Sequence, residues 1–124
     1  MTNQSLGKAG EDAAAVYLKG KGCRILKRNF KCRLGEVDII ACDGATICFV
    51  EVKTRSSEDF GVPQEAVSRK KQAQISKAAL YYLKTKKLFE KSARFDVVSV
   101  LYKDNVPKID LIENAFELDS HFSY

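Results

Sequence analysis

Two apolar runs decide the fold of this chain: Glu-Val-Asp-Ile-Ile-Ala-Cys at residues 36–42 and Thr-Ile-Cys-Phe-Val-Glu-Val-Lys-Thr at residues 46–54. Both runs are rich in β-branched and apolar residues. The Asp-Gly pair at residues 43 and 44 lies between them, and such a pair between such runs is a strong signal for a β-hairpin. The sequence therefore predicts two antiparallel strands that bring two acids and a lysine close together.

The length of the hairpin loop decides which side chains share a face of the sheet. A two-residue loop sets Asp38 opposite Phe49, whereas a four-residue loop sets Asp38 opposite Glu51. Side chains alternate between faces, so only an odd-length loop separates the acids. A loop with an even number of residues places two sets of side chains on opposite faces of the sheet. The first set is Glu36, Asp38, Phe49, Glu51 and Lys53, and the second is Val37, Ile39, Val50 and Val52.

Two carboxylates about 4 Å apart repel each other by roughly 4 kcal/mol at an effective dielectric constant near 20. Asp38 and Glu51 therefore require a cation, which is either Lys53 or a bound metal ion. Oxygen ligands without a nearby His or Cys favour Mg²⁺ or Mn²⁺ over zinc. Alternatively, Glu51 and Lys53 form an ordinary surface ion pair, worth at most about 1 kcal/mol. Charges within so apolar a strand favour the catalytic interpretation.

Three sequence blocks resemble the signature blocks of the bacterial YraN family. They are Gly-Glu-Val-Asp-Ile-Ile at 35–40, Phe-Val-Glu-Val-Lys-Thr-Arg at 49–55 and Arg-Phe-Asp-Val-Val at 94–98. The resemblance runs from about residue 7 to residue 100. The family is placed in the PD-(D/E)XK nuclease superfamily, close to the archaeal Holliday junction resolvases. The resemblance implies an α/β, restriction-endonuclease-like fold of order α-β-β-β-α-β-β, in which helices flank a central mixed sheet with an antiparallel hairpin meander.

The resemblance also assigns roles to individual residues. It places the superfamily's metal-binding acid on Asp38, its second acid on Glu51, its lysine on Lys53 and an early helix glutamate on Glu11. Val37 stands where the superfamily's name has proline. The implied activity is metal-dependent cleavage of branched DNA. We hypothesise that Asp38, Glu51 and the backbone carbonyl of Val52 hold one Mg²⁺ or Mn²⁺.

Composition agrees with one domain over residues 1–124. The chain has 124 residues, of which 45% are hydrophobic, enough to bury a core. It has no apolar run of the length that spans a bilayer, and its first residues lack the pattern of a signal peptide, so we expect a cytoplasmic protein. Four cysteines without C-x-x-C spacing and a single histidine argue against a zinc site and against His-dependent catalysis.

A net charge of +5 indicates a polyanionic partner, and the charge is concentrated just before the first acid. The alternative is a solvated basic face, which remains open. The stretch contains Lys19, Lys21, Arg24, Lys27, Arg28, Lys31 and Arg33, with Phe30 among them. The residues predicted to contact DNA are Lys27, Arg28, Lys31, Arg33, Arg55, Lys71 and Gln72.

The first helix is predicted from an apolar stripe at helical spacing that includes Ala14 and Leu18. Gly10 lies on this stripe one turn earlier, where a missing side chain would let the helix approach the sheet. Glu11 lies at the edge of the stripe and could reach the acids, or it could only interact with the helix dipole. Asp12 is expected to be solvated. Glycines 20 and 22 are expected to end the helix.

The second helix is predicted over residues 69–87. Its inward stripe contains Ile75, Ala79, Tyr82, Leu83 and the stem of Lys86. Extending the stripe by one turn reaches Lys71 and Gln72, but not Lys70. Lys71 is then either a phosphate contact or a snorkelling surface lysine.

The remaining segments are a polar loop at 55–63 that is expected beside the site as a DNA contact, a buried strand at 94–101, a turn at 104–105 and a short edge strand at 108–112. Asp96 in the buried strand is expected to be structural, paired with Arg94 or with backbone groups.

Three function classes follow. The first is a metal-dependent endonuclease that hydrolyses a phosphodiester in branched or junction DNA, for which two-fold substrate symmetry favours a homodimer. The second is a non-catalytic DNA-binding or DNA-processing partner module on a nuclease-like scaffold. The third is a protein-interaction domain without a nucleic-acid role.

Overall fold

A single mixed sheet with the spatial strand order β1-β2-β3-β4-β5 organises the molecule. The computed structural model describes residues 2–56 and 67–116. Strands β3 and β4 are parallel, and the other neighbouring pairs are antiparallel. The predicted order of elements is confirmed. The elements are α1 (Asn3–Gly20), β1 (Arg24–Cys32), β2 (Gly35–Asp43), β3 (Thr46–Ser56), α2 (Arg69–Thr85), β4 (Ser92–Lys103) and β5 (Val106–Phe116).

Each helix begins at a hydroxyl cap. The side chain of Thr2 accepts a hydrogen bond from the backbone amide of Ser5 at 3.1 Å, and Ser68 caps α2 in the same way. The predicted glycine-rich end of α1 is confirmed, and Gly22 adopts a φ of +94° just beyond it. Helix α2 ends at Thr85, two residues earlier than predicted. Lys86 is exposed, so including its stem in the inward stripe was wrong.

The two faces of the sheet carry two separate cores. On one face, α2 contributes the predicted stripe residues Ile75, Ala79, Tyr82 and Leu83 to what we call the α2-side core, together with Phe49 of β3. On the other face, α1 packs against what we call the α1-side core. The buried residues of the α1-side core are Ala14, Ala15, Leu18, Ile39, Ala41, Cys48, Val50, Val98 and Val100.

The β2–β3 loop consists of Gly44 and Ala45, because Asp43 already pairs with Thr46. The predicted pairing of Asp38 with Phe49 was therefore wrong by two residues. Ile39 pairs with Val50 in the structure, and continuing this register by one residue sets Asp38 opposite Glu51. That is the register predicted for the four-residue loop, and the even parity of the loop is confirmed.

The predicted division of the hairpin side chains between two faces was partly wrong, because Asp38 and Lys53 line a cavity against α1, whereas Phe49 packs with α2 and Glu51 contacts Lys71 of α2. Val37 was expected on the face of Ile39 and Val50, but it packs in the α2-side core with Phe49. The described β2–β3 pairing begins only at Ile39, and the carboxylate of Asp38 accepts the backbone amide of Val52 at 2.8 Å. The alternation of side chains between the two faces of the sheet is therefore interrupted at Asp38. As a result, Val37 faces α2 rather than α1.

The last two strands are longer than predicted. Strand β4 extends over Ser92–Lys103, and the predicted turn at 104–105 is confirmed by positive φ values of 53° and 64°. Strand β5 is an edge strand as expected, but it covers Val106–Phe116 rather than 108–112. In the predicted loop at 55–63, the first two residues still belong to β3, and residues 57–63 lie outside the described residues. No helix in the described ranges is long and apolar enough to cross a membrane.

Candidate active site

Glu51 is an acid inside the sheet, with only 6% of its surface exposed. Its nearest cation is Lys71 on α2, whose Nζ lies 3.7 Å from Oε1 of Glu51 and 4.0 Å from Oε1 of Glu36. Among the described residues, Oε2 of Glu51 has no hydrogen-bond partner. A buried carboxylate oxygen without a partner costs free energy, so Glu51 is only partly compensated.

Asp38 is half-buried next to Glu51. Burial raises the pKa of Asp38, and the amide of Val52 and the charge of Lys71 oppose the rise in part. The pKa of Glu51 is raised to about 7, first by burial and then by the negative charge of Asp38, and the charges of Lys71 and Lys53 act in the opposite direction. The two acids therefore form an electrostatically coupled pair that resists carrying two negative charges at neutral pH.

A cavity of about 310 Å³ brings several of the predicted site residues together. It lies between α1 and β3, and Glu11, Asp38, Val52 and Lys53 line it. The structure thus places the helix glutamate near the first acid and the lysine, as the resemblance implied. Glu51 does not line this cavity in the described part of the chain, and its carboxylate instead contacts Lys71.

Gly10 determines how closely α1 approaches the sheet. A Cβ atom at this position would overlap the side chain of Thr54, which follows Lys53 in β3. The predicted role of Gly10 is confirmed. This close approach holds the N-terminal half of α1, including Glu11, against the strand that carries Glu51 and Lys53.

Arg28 joins the two acids of α1. Its guanidinium lies 3.3 Å from Oε1 of Glu11 and 2.6 Å from Oδ1 of Asp12. Asp12 was expected to be solvated. Its carboxylate is partly exposed to solvent, but it also forms an ion pair with Arg28, so the prediction was only partly correct. The hydrogen bond from Arg28 lowers the pKa of Asp12. Arg28 is thus engaged with protein acids rather than free for phosphate.

The other residues predicted to contact DNA fall into two groups. Lys27, Lys31 and Arg33 are exposed at the β1 edge of the sheet and in the turn that follows β1. Arg55 and Lys71 are half-buried, whereas Lys70 is exposed, as the helical spacing predicted. The amide group of Gln72 donates a hydrogen bond to the backbone carbonyl of Val67 at 2.9 Å, so it supports the start of α2.

Arg94 is a structural residue whose full role the sequence did not indicate. Its Nε donates to the carboxylate of Asp96 at 3.1 Å, and its guanidinium also lies 3.0 Å from Asp43 and 3.5 Å from Glu113. The backbone amide of Asn114 donates to Asp96 at 2.9 Å. The predicted pairing of Asp96 is therefore confirmed. The i, i+2 spacing of Arg94 and Asp96 was the available signal, but nothing in the sequence indicated the contacts to Asp43 and Glu113.

The donor set of the acid pair fits a hard divalent cation. Over residues 2–56 and 67–116 no three His, Cys, Asp or Glu side chains converge, so this part of the chain offers two carboxylates and backbone oxygens. Mg²⁺ commonly takes only one or two protein carboxylates and completes its shell with water and phosphate.

The cysteines are all free thiols. Cys48 is buried in β3, and burial raises the pKa of its thiol to about 12. The thiol of Cys48 is therefore protonated at neutral pH and is a poor nucleophile. Cys23, Cys32 and Cys42 are half-buried.

Comparison with known proteins identifies the family. The model of uncharacterised protein family UPF0102 matches residues 10–100. The chain is 57% identical over 117 residues to a UPF0102 protein of Geotalea uraniireducens, covering 94% of this chain and 92% of that protein. It is 46% identical over 118 residues to a UPF0102 protein of Moorella thermoacetica, covering 94% and 98% respectively. The chain therefore belongs to the UPF0102 family, which is the family of the YraN proteins.

Proposed function

We propose that this protein is a metal-dependent endonuclease of the PD-(D/E)XK type that hydrolyses phosphodiester bonds in DNA. The observation that carries the proposal is the coupled acid pair of Asp38 and Glu51. Both carboxyls have raised pKa values, a hydrogen bond joins the two when one of them is protonated, and no described residue donates to Oε2 of ionised Glu51. Strongly perturbed acids of this kind are concentrated at functional sites.

Asp38, Glu51 and the backbone carbonyl of Val52 would hold Mg²⁺ or Mn²⁺, consistent with the oxygen donors that these ions prefer. When bound, the ion would polarise a phosphate oxygen and lower the pKa of a water molecule. The amide of Val52 fixes the orientation of Asp38 through its 2.8 Å hydrogen bond. Asp38 is thus positioned before any ligand arrives.

Lys53 and Glu11 line the same cavity as Asp38. In the proposed reaction, the ammonium group of Lys53 orients the attacking water or stabilises the negative charge that develops on the phosphate. Glu11 positions water or contributes to a second metal site. Its carboxylate is held by Arg28, and α1 is held against β3 at Gly10.

The proposed substrate is DNA, with branched or junction DNA taken from the family resemblance. The net charge of +5 and the exposed cations Lys27, Lys31 and Arg33 support a polyanionic substrate. A homodimer belongs to the same proposal, because a two-fold symmetric junction is cleaved most simply by two equivalent sites.

The test is a cleavage assay on branched and linear DNA with Mg²⁺ or Mn²⁺. Asp38→Asn and Lys53→Ala are each expected to reduce the cleavage rate by about 10²-fold or more, because each removes an electrostatic contribution to the site. The matched controls are Asp110→Asn and Lys108→Ala on the exposed part of β5, which should cleave like the wild type. Undiminished cleavage by either site variant would refute the assignment.

A non-catalytic DNA-binding module remains the second candidate, because fewer than three acidic or other metal-ligating side chains converge in the described part of the chain. Salt-dependent DNA binding by the wild type without metal-dependent cleavage would establish it. Absence of DNA binding even at low salt would instead favour a protein-interaction domain.

A further inference from the structure

A second cavity, of about 370 Å³, lies beside the acid pair on the α2 side of the sheet. It is formed where the turn between β1 and β2 meets the first turns of α2. This cavity is separate from the cavity that contains Asp38 and Lys53, because the two have no lining residue in common. The described residues that line it are Lys31, Cys32, Arg33, Leu34, Gly35, Glu36, Lys71 and Gln74.

The charge of this second cavity is positive. Of the described residues that line it, Lys31, Arg33 and Lys71 are cationic and only Glu36 is anionic. Glu36 lies 4.0 Å from Lys71 and pairs with Lys31 across β1 and β2, so the three cations outnumber the single acid and the described lining carries a net charge of two positive units. An open cavity with this excess of positive charge favours an anion, and the planar guanidinium of Arg33 suits a phosphate.

The walls of the second cavity are fixed by backbone packing. Cys32 pairs with Gly35, so the turn between β1 and β2 contains only Arg33 and Leu34. A Cβ atom at Gly35 would collide with the backbone carbonyl oxygen of Gln74, which shows how tightly this turn is docked on α2. The backbone that carries Lys31 and Arg33 is therefore held at a fixed distance from the first turns of α2, which carry Lys71.

Lys71 connects this second cavity to the acid pair. It lines the cavity, and its Nζ also lies 3.7 Å from Glu51. An anion in the cavity would therefore lie next to a lysine that also contacts Glu51. In a nucleic-acid strand that passes the acids, the group available at such a place is a neighbouring backbone phosphate.

We propose that the second cavity binds a backbone phosphate of a nucleic-acid strand, adjacent to the phosphate held at the acid pair. The proposal rests on the proposed function for its substrate, but not on catalysis. Lys31 at the end of β1 and Arg33 in the turn bind the phosphate from one side, and Lys71 contacts it from α2 while facing Glu51. The subsite fixes the position of the strand relative to Asp38 and Glu51.

The test measures DNA binding by fluorescence anisotropy in EDTA, over a range of salt concentrations, so that cleavage plays no part. The variant Lys31→Gln/Arg33→Gln removes the two exposed cations. Its matched control, Lys19→Gln/Arg24→Gln, removes the same charges from exposed positions where α1 ends and β1 begins. Circular dichroism melting checks that both variants remain folded.

The site variant is expected to bind DNA about tenfold more weakly at moderate salt, a loss typical of one charge-assisted phosphate contact. The slope of log K against log salt should fall by about 0.7 to 0.9 for the lost contact. The control variant should stay within about twofold of the wild type. Equal losses in both variants would overturn the proposal, because the effect would then be general charge. No loss in either variant would overturn it as well.

A second measurement separates a strand phosphate from a free anion. Inorganic phosphate and a short DNA strand are titrated separately into labelled protein, and the amide NMR signals of Leu34 and Gly35 are followed. Shifts with DNA at micromolar concentration support the subsite. Shifts with inorganic phosphate alone would overturn the nucleic-acid assignment and indicate a small-anion site. If the wild type binds and orients DNA but never cleaves it, the subsite stands and only the proposed enzymatic function fails.

Discussion

Asp96 and Glu51 are buried acids on neighbouring strands of one sheet, yet their surroundings differ. Asp96, with 1% exposed surface, accepts hydrogen bonds from Arg94 with both oxygens at 3.1 Å and from the amide of Asn114 at 2.9 Å. Glu51 is 3.7 Å from Lys71, and among the described residues its Oε2 has no hydrogen-bond partner.

The difference shows that this sheet can satisfy a buried carboxylate where the role is structural. The incomplete compensation of Glu51 is therefore a feature of that position and not a general property of the fold. It costs stability in the folded protein and leaves an anionic group that a cation can stabilise. This contrast supports interpreting Asp96 as structural and the acid pair as functional.

The largest effect on stability is expected from removing Arg94, the cation that pairs with the buried carboxylate of Asp96. Arg94→Met should lower the free energy of unfolding by about 3–5 kcal/mol, because it leaves the buried carboxylate of Asp96 without its cation. Urea unfolding measures the loss, and Arg24→Met on the exposed start of β1 is the control. Adding Asp96→Asn to Arg94→Met should recover much of the loss, since the unpaired charge is removed. A loss below about 1 kcal/mol would show that the pair is not structural.

The second effect is the pH dependence of stability that the raised pKa of Glu51 produces. Because the pKa of Glu51 rises from 4.5 to about 7 on folding, the folded protein binds the proton more tightly than the unfolded chain. The contribution of Glu51 to stability is therefore fully present below pH 4.5 and is lost as the pH rises toward 7, by on the order of 2–3 kcal/mol. Glu51→Gln should remove this loss and exceed the wild type in stability at pH 8.

Urea unfolding of the wild type and of Glu51→Gln at several pH values between 4.5 and 8 gives the difference directly. Glu90→Gln, which removes an exposed carboxyl, is the control and should follow the wild type. If the difference between Glu51→Gln and the wild type does not change with pH, the carboxyl of Glu51 is not perturbed and the contrast with Asp96 disappears.

The smallest effect on stability is expected from replacing Lys71, which compensates only part of the charge of Glu51. Lys71→Gln should lower stability at pH 8 by about 0.5–1 kcal/mol, because the 3.7 Å pair is weak and 32% of the lysine side chain is exposed. The charge of Lys71 lowers the pKa of Glu51, so the pH window of the Glu51 effect should move upward in this variant. Lys70→Gln, one residue away and exposed, is the control. An unchanged window would mean that Lys71 does not compensate Glu51.

The hairpin shows which part of the structure could not be predicted from the sequence. Alternation predicted the parity of the loop, but the Asp-Gly signal placed Asp43 in the turn. The structure keeps Asp43 in β2, where it pairs with Thr46 and lies 3.0 Å from Arg94. Because Arg94 is 51 residues further along the chain, no local pattern could reveal that contact.

The acid pair and its mutual repulsion were predicted from residue type and spacing, but the burial that raises both pKa values and the pairing of Glu51 with Lys71 were not. Asp38 takes the amide of Val52 as its hydrogen-bond donor, and this contact interrupts the alternation that the face assignment of Val37 assumed. Similarly, a cluster of basic residues could be read from the sequence, but the commitment of Arg28 to Glu11 and Asp12 required the three-dimensional approach of α1 to β1.

Gly10 limits how the cavity beside Asp38 can adapt. A methyl group at residue 10 would overlap the side chain of Thr54, because the backbone of α1 already contacts that side chain of β3. The helix and the strand therefore cannot move closer together at this wall of the cavity. The cavity cannot tighten around a small ligand by drawing α1 inward. Any bound molecule must therefore adjust its own shape to the protein at this wall.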